Sequence, residues 1–387
     1  MIFRIKLKIL IYIKEKSPEI YALARSIYLR VGSAAMSAFA VSRFSVAIYY
    51  IFIDRSFWRE QLAVSQGLIR YRRQKNPSSR RYLLRRNIHR LEKGLSMRHR
   101  RPVFALDYIV ETVEVYQRCI ADSPPTPCDP ILDWASDVLC EYFLTVTDHP
   151  TVLKARKLFD GFYNSDKGNQ KTPVLYRERE GAKHGISIDR LSQLSRARRS
   201  VRWYTNDRVP RSVIDSALEV ASQAPSSCNR QPFRYLFFDE PDQVQVIAKL
   251  PRGTAGFAEN IPCIAAVIGD LSNFSNSCDR HGIYIDTGLS VMGFLYALET
   301  ENIGSCILNW PDVEQLERKM EDQLELQKHE RLVMLIAIGV PDPEGQIPYS
   351  EKSSLDLLRT YNTPADIYKQ TLNSDETNEK NASSAQK

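Results

Sequence analysis

The sequence has 387 residues, of which 43% are apolar, and a net charge of +7. This length is ample for two domains of roughly 100–200 residues, each with a buried core. The seven cysteines form no CxxC pair and no regular spacing, which argues against a zinc ribbon, an iron–sulfur cluster and a disulfide-stapled secreted domain. We therefore expect reduced thiols in a cytoplasmic protein.

The charge is divided unevenly along the chain. Residues 1–101 hold 23 Lys and Arg against 5 Asp and Glu, a local charge of +18, whereas residues 102–387 carry −11. A basic first part of this kind suits an anionic membrane surface or a polyanionic partner. Because no base-reading motif accompanies the basic residues, nucleic acid is not an expected partner.

An apolar stretch runs from Val31 to Ile53. It is long enough to cross a bilayer, which takes about 20 residues, yet Arg43 lies near its centre and four serines interrupt it. Three interpretations stay open: a transmembrane helix, a buried helix, and a helix lying in the membrane interface. In the last case the flanking arginines would reach lipid phosphates, and these are Arg25, Arg30, Arg55 and Arg59.

Helical periodicity continues from about Asp54 to Tyr163. The apolar spacing predicts helices from Tyr108 to Ile120, from Ile131 to Val146 and from Val152 to Phe162. The polar composition of the segment that follows indicates a linker, and the tail has almost no apolar anchor. We therefore divide the chain into a basic, mostly helical N-terminal region (1–165), a linker (166–186), a second domain (187–362) and a disordered tail (371–387).

Strands and helices are mixed in the second domain, which predicts an α/β or α+β fold. The run from Leu332 to Val340 is the most strand-like in the chain and predicts a central strand covered on both faces. Periodicity predicts the other elements: helices from Ser212 to Ala224 and from Ile283 to Glu301, and strands from Tyr235 to Phe238 and from Cys263 to Ile268.

Two polar segments of this domain are candidates for chemistry. In Arg198-Arg199-Ser200-Val201-Arg202, three guanidinium groups and a hydroxyl suit a phosphate and a second anionic group. The segment from Ala224 to Phe233 presents small hydroxyls and amides, which bond polar edges without bulk. Each segment also has a purely structural interpretation, the first as a solvated basic stretch and the second as an ordinary turn.

Together the two segments resemble the FMN-dependent nitroreductases. The hallmark of that family is an Arg-x-Ser-x-(Arg/Lys)-x-(Phe/Tyr) opening, then a helix, then an Ala-Pro-Ser-x-x-Asn-x-Gln-Pro segment, matched here by Arg198 to Tyr204 and by Ala224 to Pro232. The resemblance continues through Asp286, through Gly304 to Trp310, and through the strand ending at Pro341. It implies, for residues 187–362, a dimeric α+β fold in which helices flank a central sheet.

The resemblance also implies which residues bind FMN. Arg198, Arg199 and Ser200 would hold the phosphate and ribityl chain, while Arg202 would approach the N1/O2 edge of the flavin and stabilise its reduced form. The other subunit of the dimer would contribute a second set, Pro225, Ser226, Ser227 and Asn229, supported by Gln231. The backbone of Leu308 and Asn309 would face the ring near N5, and Lys352 would return to the phosphate.

Three positions depart from the family pattern. Ser354 stands where a second basic residue usually follows the lysine, so that phosphate contact is missing or is replaced by Arg359. Asn309 and Trp310 replace a glycine pair, and a tryptophan there would narrow the space over the flavin. The implied reaction passes a hydride from NAD(P)H through flavin N5 to an unidentified acceptor, with protons drawn from solvent. No dedicated acid–base residue is expected, and the scattered histidines predict no metal site.

The segment from Asn87 to Ser96 resembles a module that precedes nitroreductase domains in bacterial proteins of cell-surface polysaccharide loci. Its own pattern is that of a basic helix stopped at Gly94. An alternative function therefore stays open: a catalytically weak or inactive nitroreductase-fold protein that is recruited to a membrane and binds a partner in surface polysaccharide synthesis. The expected location is the cytoplasm, with or without attachment to the inner face of its membrane.

Overall fold

The computed structural model describes residues 17–73, 77–122, 129–162, 184–359 and 361. Residues 1–345 form one compact unit, and residues 346–387 form a second. The predicted linker lies almost wholly outside the described residues, and the predicted tail lies outside them entirely. The domain boundaries therefore stay predictions.

Among the described residues, helices make up the first part of the chain, and four strands follow among further helices. In the N-terminal region the helices are α1 (Pro18–Phe39), α2 (Arg43–Phe52), α3 (Trp58–Arg73), α4 (Pro77–Leu95), α5 (Ile109–Asp122), α6 (Pro130–Thr145) and α7 (Pro150–Asp160). The later elements are α8 (Ile188–Ala197), α9 (Arg211–Ser222), β1 (Phe233–Phe238), α10 (Pro241–Ala248), β2 (Cys263–Asp270), α11 (Gly282–Thr300), β3 (Gly304–Leu308), α12 (Glu314–Leu324) and β4 (Glu330–Gly339). The second unit contains the short helix α13 (Leu355–Leu358).

The four strands form one antiparallel sheet in the order β1-β2-β4-β3. The two inner strands are almost entirely buried, which confirms the central strand predicted from Leu332 to Val340. Alternate residues of β2 enter two different cores: Cys263 and Ala265 face α9 and α11, while Ile264 and Ala266 face α10 and α12. Helices therefore cover both faces of the sheet, and the predicted α+β class is confirmed.

The N-terminal helices α4 to α7 have a core of their own. The helix predictions there are confirmed within two residues at each end, because their apolar faces are the buried faces. Helix α4 ends at Leu95, one residue past the expected stop at Gly94. A Cβ at Gly94 would clash with the Phe104 ring, so this glycine also permits close packing.

The stretch from Val31 to Ile53 is not one helix. Helix α1 ends at Phe39, and α2 begins after Ser42, whose side chain accepts a hydrogen bond from the Ser45 backbone N–H at 3.1 Å. The Ser45 hydroxyl in turn accepts from the Ser42 N–H, which completes a capping box. Across the described ranges, every helix falls short of the length or apolar character needed to span a membrane.

The N-terminal helices also pack onto the sheet domain. Gly67 of α3 lies so close to Leu271 that a Cβ would approach the Leu271 backbone at 2.8 Å. Arg59, at the start of α3, pairs with Glu317 and Glu321 of α12. Arg59 is therefore engaged by carboxylates, which corrects the interpretation that it reaches lipid phosphates.

Candidate functional site

The arginine segment, residues 198–202, pairs with the edge strand β3 through its backbone. Helix α8 ends at Ala197, and Ser200 then pairs in parallel with Ser305, the Val201 N–H donating to the Ser305 carbonyl at 3.0 Å. The Tyr204 hydroxyl donates to the Val201 carbonyl at 2.6 Å and is buried. The backbone is thus fixed between two anchors.

The side chains of this segment place positive charge beside β3. The Arg202 guanidinium lies 5.9 Å from the centre of the Phe257 ring and donates to the Ser200 carbonyl at 3.4 Å. Burial raises the pKa of the Cys306 thiol, opposed by the charges of Arg202 and Arg198. The thiol therefore stays neutral.

The second candidate segment is a tight turn between α9 and β1. Cys228, Asn229 and Gln231 all have φ near +50°, a left-handed conformation that non-glycine residues adopt at a cost. Hydrogen bonds hold it: the Gln231 N–H donates to Ser226 Oγ at 3.0 Å, and Gln231 Nε2 donates to Asn229 Oδ1 at 2.9 Å. Such local strain is typical of functional turns.

A cluster of buried polar side chains makes hydrogen bonds to this turn. Asp286 of α11 accepts a hydrogen bond from the Ser227 N–H at 3.0 Å, and Arg230 donates to Ser227 Oγ at 3.0 Å. Arg85 of α4 donates to the Arg230 carbonyl at 3.3 Å. Burial raises the pKa of Asp286, opposed by the Ser227 bond and the Arg230 charge. Sequence reasoning did not single out Arg85 or Arg230, although Arg230 lies within the candidate segment from Ala224 to Phe233.

The two candidate segments lie at opposite corners of the sheet. Phe233, which follows the turn, pairs with Gly269, and Gly269 pairs with Arg331 near the start of β4. Gly304, beside the arginine segment, pairs with Gly339 at the end of β4. Strand dimensions put these corners about 30 Å apart. One chain therefore does not bring its two segments to one small ligand.

The end of β3 corrects one expectation. Leu308 is buried and Asn309 is exposed, but the Trp310 ring lies in the core, where its Nε1 donates to the buried Glu317. Trp310 therefore does not narrow a surface site.

The second unit contains the remaining predicted residue, Lys352. Lys352 is exposed, and its backbone N–H donates to Glu351 at 3.0 Å. Arg359 of the same unit pairs with Asp356 at 3.4 Å. The expected phosphate contacts of Lys352 and Arg359 stay predictions.

The sheet domain also matches known proteins. Residues 195–253 and 238–340 match the model of the Nitroreductase family. This region holds the arginine segment, the strained turn and all four strands, so the expected nitroreductase-like fold is confirmed for the sheet domain. The resemblance of the segment from Asn87 to Ser96 lies outside the match and stays a prediction.

Individual relatives are distant. Iodotyrosine deiodinase 1 of Pongo abelii is 22% identical over 240 residues, which cover 54% of this chain and 82% of that protein. The iodotyrosine deiodinase of Thermotoga neapolitana is 27% identical over 195 residues, covering 45% of this chain and 98% of the relative. The structure of an FMN-dependent nitroreductase from Clostridium difficile covers 44% of this chain and 98% of its own, at 19% identity and a TM-score of 0.37.

Proposed function

We propose that the protein is an FMN-dependent oxidoreductase of nitroreductase type. The observation that carries the proposal is the arginine segment, whose cations are presented beside an edge strand within the region that matches the family. Reduced nicotinamide is the proposed electron donor. The acceptor is an electron-poor organic molecule, for which nitro and iodinated aromatic compounds are the first candidates, since these occur in the names of the relatives.

The donor set suits FMN. Arg198, Arg199 and Ser200 supply charge and hydrogen bonds for a phosphate, and an arginine fork matches phosphate oxygens. Arg202 uses one N–H group in its bond to Ser200, so most of its five donors are available to the N1/O2 edge of the flavin ring. Bound FMN would supply the transfer of a hydride and its electrons from the nicotinamide to the acceptor.

The protein's own residues would bind and orient the ligand. The anchored backbone of Val201 fixes where the arginine side chains begin, which lowers the ordering cost of binding. Burial keeps the Cys306 thiol protonated, so it adds no negative charge next to the flavin phosphate. Protons for the acceptor come from solvent.

A homodimer completes the proposed site. The two candidate segments lie about 30 Å apart in one chain by strand dimensions, so a second copy is needed for both to contact one flavin. Helix α11 supports this proposal, because it is largely apolar and yet exposes Ile285 and Leu289, which are one turn apart. Such an exposed stripe is typical of a helix covered in an assembly.

The FMN site is tested by replacing Arg198 with alanine and titrating the protein with FMN. Loss of a hydrogen bond to a charged group should weaken binding by about 1.5–3 kcal/mol. Arg196→Ala is the matched control, because Arg196 is exposed in the last turn of α8, two residues before Arg198. Equal FMN affinity in both variants would contradict the assignment.

The shared site is tested by mixing two variants. Arg202→Ala damages one segment and Asn229→Ala the other, so mixed dimers should regain some intact sites and bind more FMN than either variant alone. Sedimentation of the wild type as a monomer with full flavin occupancy would refute the dimer.

We also propose that the basic N-terminal region attaches the protein to an anionic membrane surface. Helix α1 exposes one apolar stripe, formed by Ile20, Leu23, Ile27 and Val31, each more than half exposed. Exposed Arg30 lies beside it, and Arg43 and Arg55 are exposed further along. An apolar face flanked by arginines is the pattern of helices that lie in the membrane interface.

Flotation with anionic vesicles tests this attachment. Leu23→Asp with Ile27→Asp should abolish flotation at low salt, because the two charges enter the apolar stripe. Leu144→Asp with Leu153→Asp is the matched control, since both leucines are exposed on α6 and α7, away from the apolar stripe of α1 in sequence. If wild type does not float, or if both double variants float equally, the membrane proposal fails.

A further inference from the structure

Helix α4 packs against the strained turn, residues 226–231, that joins α9 to β1. Tyr82 lies three residues before Arg85 and four before Arg86, so the three side chains share one face of α4. Arg85 donates to the Arg230 carbonyl, in the last part of the turn, at 3.3 Å. A helix of the N-terminal region therefore bonds directly to a segment assigned to the flavin site.

The same face of α4 also lies beside the strand that anchors the turn. Burial raises the pKa of Tyr82 to about 12, and the Asp270 charge acts in the same direction, which places this phenol near the end of β2. The Asp270 N–H donates to the Pro232 carbonyl at 2.8 Å, immediately after the turn. Helix α4 thus lies against both the turn and its anchor on β2.

The Arg230 side chain connects the turn to α3 as well. Arg230 is only 4% exposed and donates to Ser227 Oγ at 3.0 Å. Burial raises the pKa of Tyr71 in α3, opposed by the charges of Arg86 and Arg230. The Arg230 guanidinium therefore lies near groups from two N-terminal helices, while Arg85 bonds to its backbone.

The turn needs such support because its backbone is strained. Cys228, Asn229 and Gln231 have left-handed φ angles, and such conformations persist only where the surrounding structure fixes them. From outside the turn, Asp286 of α11 accepts from the Ser227 N–H and Arg85 of α4 donates to the Arg230 carbonyl. The first bond belongs to the sheet domain, and the second comes from the N-terminal helices.

We infer that Arg85 is a positioning residue of the flavin site, through which helix α4 holds the turn in its binding conformation. The inference rests on the proposed function, which assigns Ser226, Ser227 and Asn229 to the flavin of a second copy. It gives the N-terminal helices a role in cofactor binding, although Arg85 acts on the flavin only through the turn.

The test compares Arg85→Gln with Arg90→Gln in the full-length protein. Arg90 is also half-buried on α4, but its guanidinium lies over the Tyr108 ring and 3.7 Å from Asp107. Each substitution removes one guanidinium from the same helix, so the two variants differ in which contact is lost. Arg85→Lys keeps a charged donor beside the turn, and urea denaturation verifies that all three variants are folded.

Alkylation by iodoacetamide reports the geometry of the turn without any flavin. Cys228 is half-buried in the turn, and the exposed Cys278 is the internal reference. We expect Cys228 to react several-fold faster relative to Cys278 in Arg85→Gln, and at the wild-type rate in Arg90→Gln. A wild-type rate in Arg85→Gln would overturn the inference, whether or not the protein binds FMN.

Titration with FMN tests the consequence for the site. We expect about tenfold weaker binding in Arg85→Gln, most of it restored in Arg85→Lys, and wild-type affinity in Arg90→Gln. Wild-type affinity in Arg85→Gln would also overturn the inference. A wild-type protein that binds no FMN would contradict the proposed function instead, and faster alkylation of Cys228 in Arg85→Gln would then still support positioning of the turn by α4.

Mixed dimers separate positioning of the turn from a general structural effect. Arg85→Gln mixed with Arg202→Ala should regain FMN binding, because one site then combines an intact arginine segment with an intact turn. Arg85→Gln mixed with Asn229→Ala should not, because both turns are damaged. Equal recovery in the two mixtures, or recovery in neither, would overturn the inference.

Discussion

Removing the Asp286 carboxylate should destabilise the protein and loosen the strained turn. Asp286 accepts the Ser227 N–H at 3.0 Å and lies near the buried Arg230. A hydrogen bond to a charged group is worth about 1.5–3 kcal/mol, and the Arg230 charge favours the ionised carboxylate further. Because burial of the carboxylate itself carries a cost, we expect Asp286→Ala to lower the free energy of unfolding by about 2 kcal/mol.

The asparagine variant separates the two contributions. Asp286→Asn keeps an acceptor for the Ser227 N–H but loses the charge facing Arg230, so about half of the loss should remain. Urea denaturation of each variant measures the free energy of unfolding, with Asp215→Ala on the exposed face of α9 as the control, expected within about 0.5 kcal/mol of wild type. An Asp286→Ala loss below about 1 kcal/mol would refute the view that this carboxylate organises the turn.

Two further predictions concern the junction of the N-terminal helices with the sheet domain. Gly67→Ala should lower the free energy of unfolding by about 1–3 kcal/mol, because its Cβ would lie 2.8 Å from the Leu271 backbone. The control is Gly32→Ala, whose Cβ meets nothing within 4 Å and which should stabilise the protein by up to about 1 kcal/mol. A stabilising Gly67→Ala would contradict this packing. Burial lowers the pKa of His329 below 6.5 against the opposing charges of Asp270 and Glu330, so the unfolded chain binds the proton first and stability should fall as pH drops through 6.5. The difference between the urea midpoints measured at about pH 7.5 and about pH 5.5 should therefore be smaller in His329→Asn than in wild type. An equal difference in the two proteins would refute the lowered pKa of His329.

Local patterns predicted the elements whose apolar faces are buried. The predicted helix from Ile131 to Val146 and the observed α6 differ by one residue at each end, because Ala135, Val138 and Tyr142 form the buried face that the periodicity marks. The central strand was visible for the same reason, as a continuous apolar run. The break between α1 and α2 was missed, because it depends on a capping box of two serines within an apolar stretch.

The candidate site was only partly predictable. The arginine segment and the turn were recognised as local motifs, but their separation depends on strand order and register, which are long-range properties. The support that Arg85 gives to the turn joins residues 145 positions apart in sequence, so no local pattern marks it. Trp310 was misjudged because its partner, Glu317, is a buried carboxylate on what the sequence presents as a charged helix.

The most direct test of FMN binding is the visible absorption spectrum of the purified wild-type protein, before and after addition of NADH or NADPH under nitrogen. We expect a yellow protein whose flavin band bleaches with one of the two donors, and a melting temperature that rises with added FMN. Bound flavin that neither donor bleaches would support a protein that has kept the cofactor and lost turnover. A colourless protein whose melting temperature does not respond to FMN would contradict the proposed function.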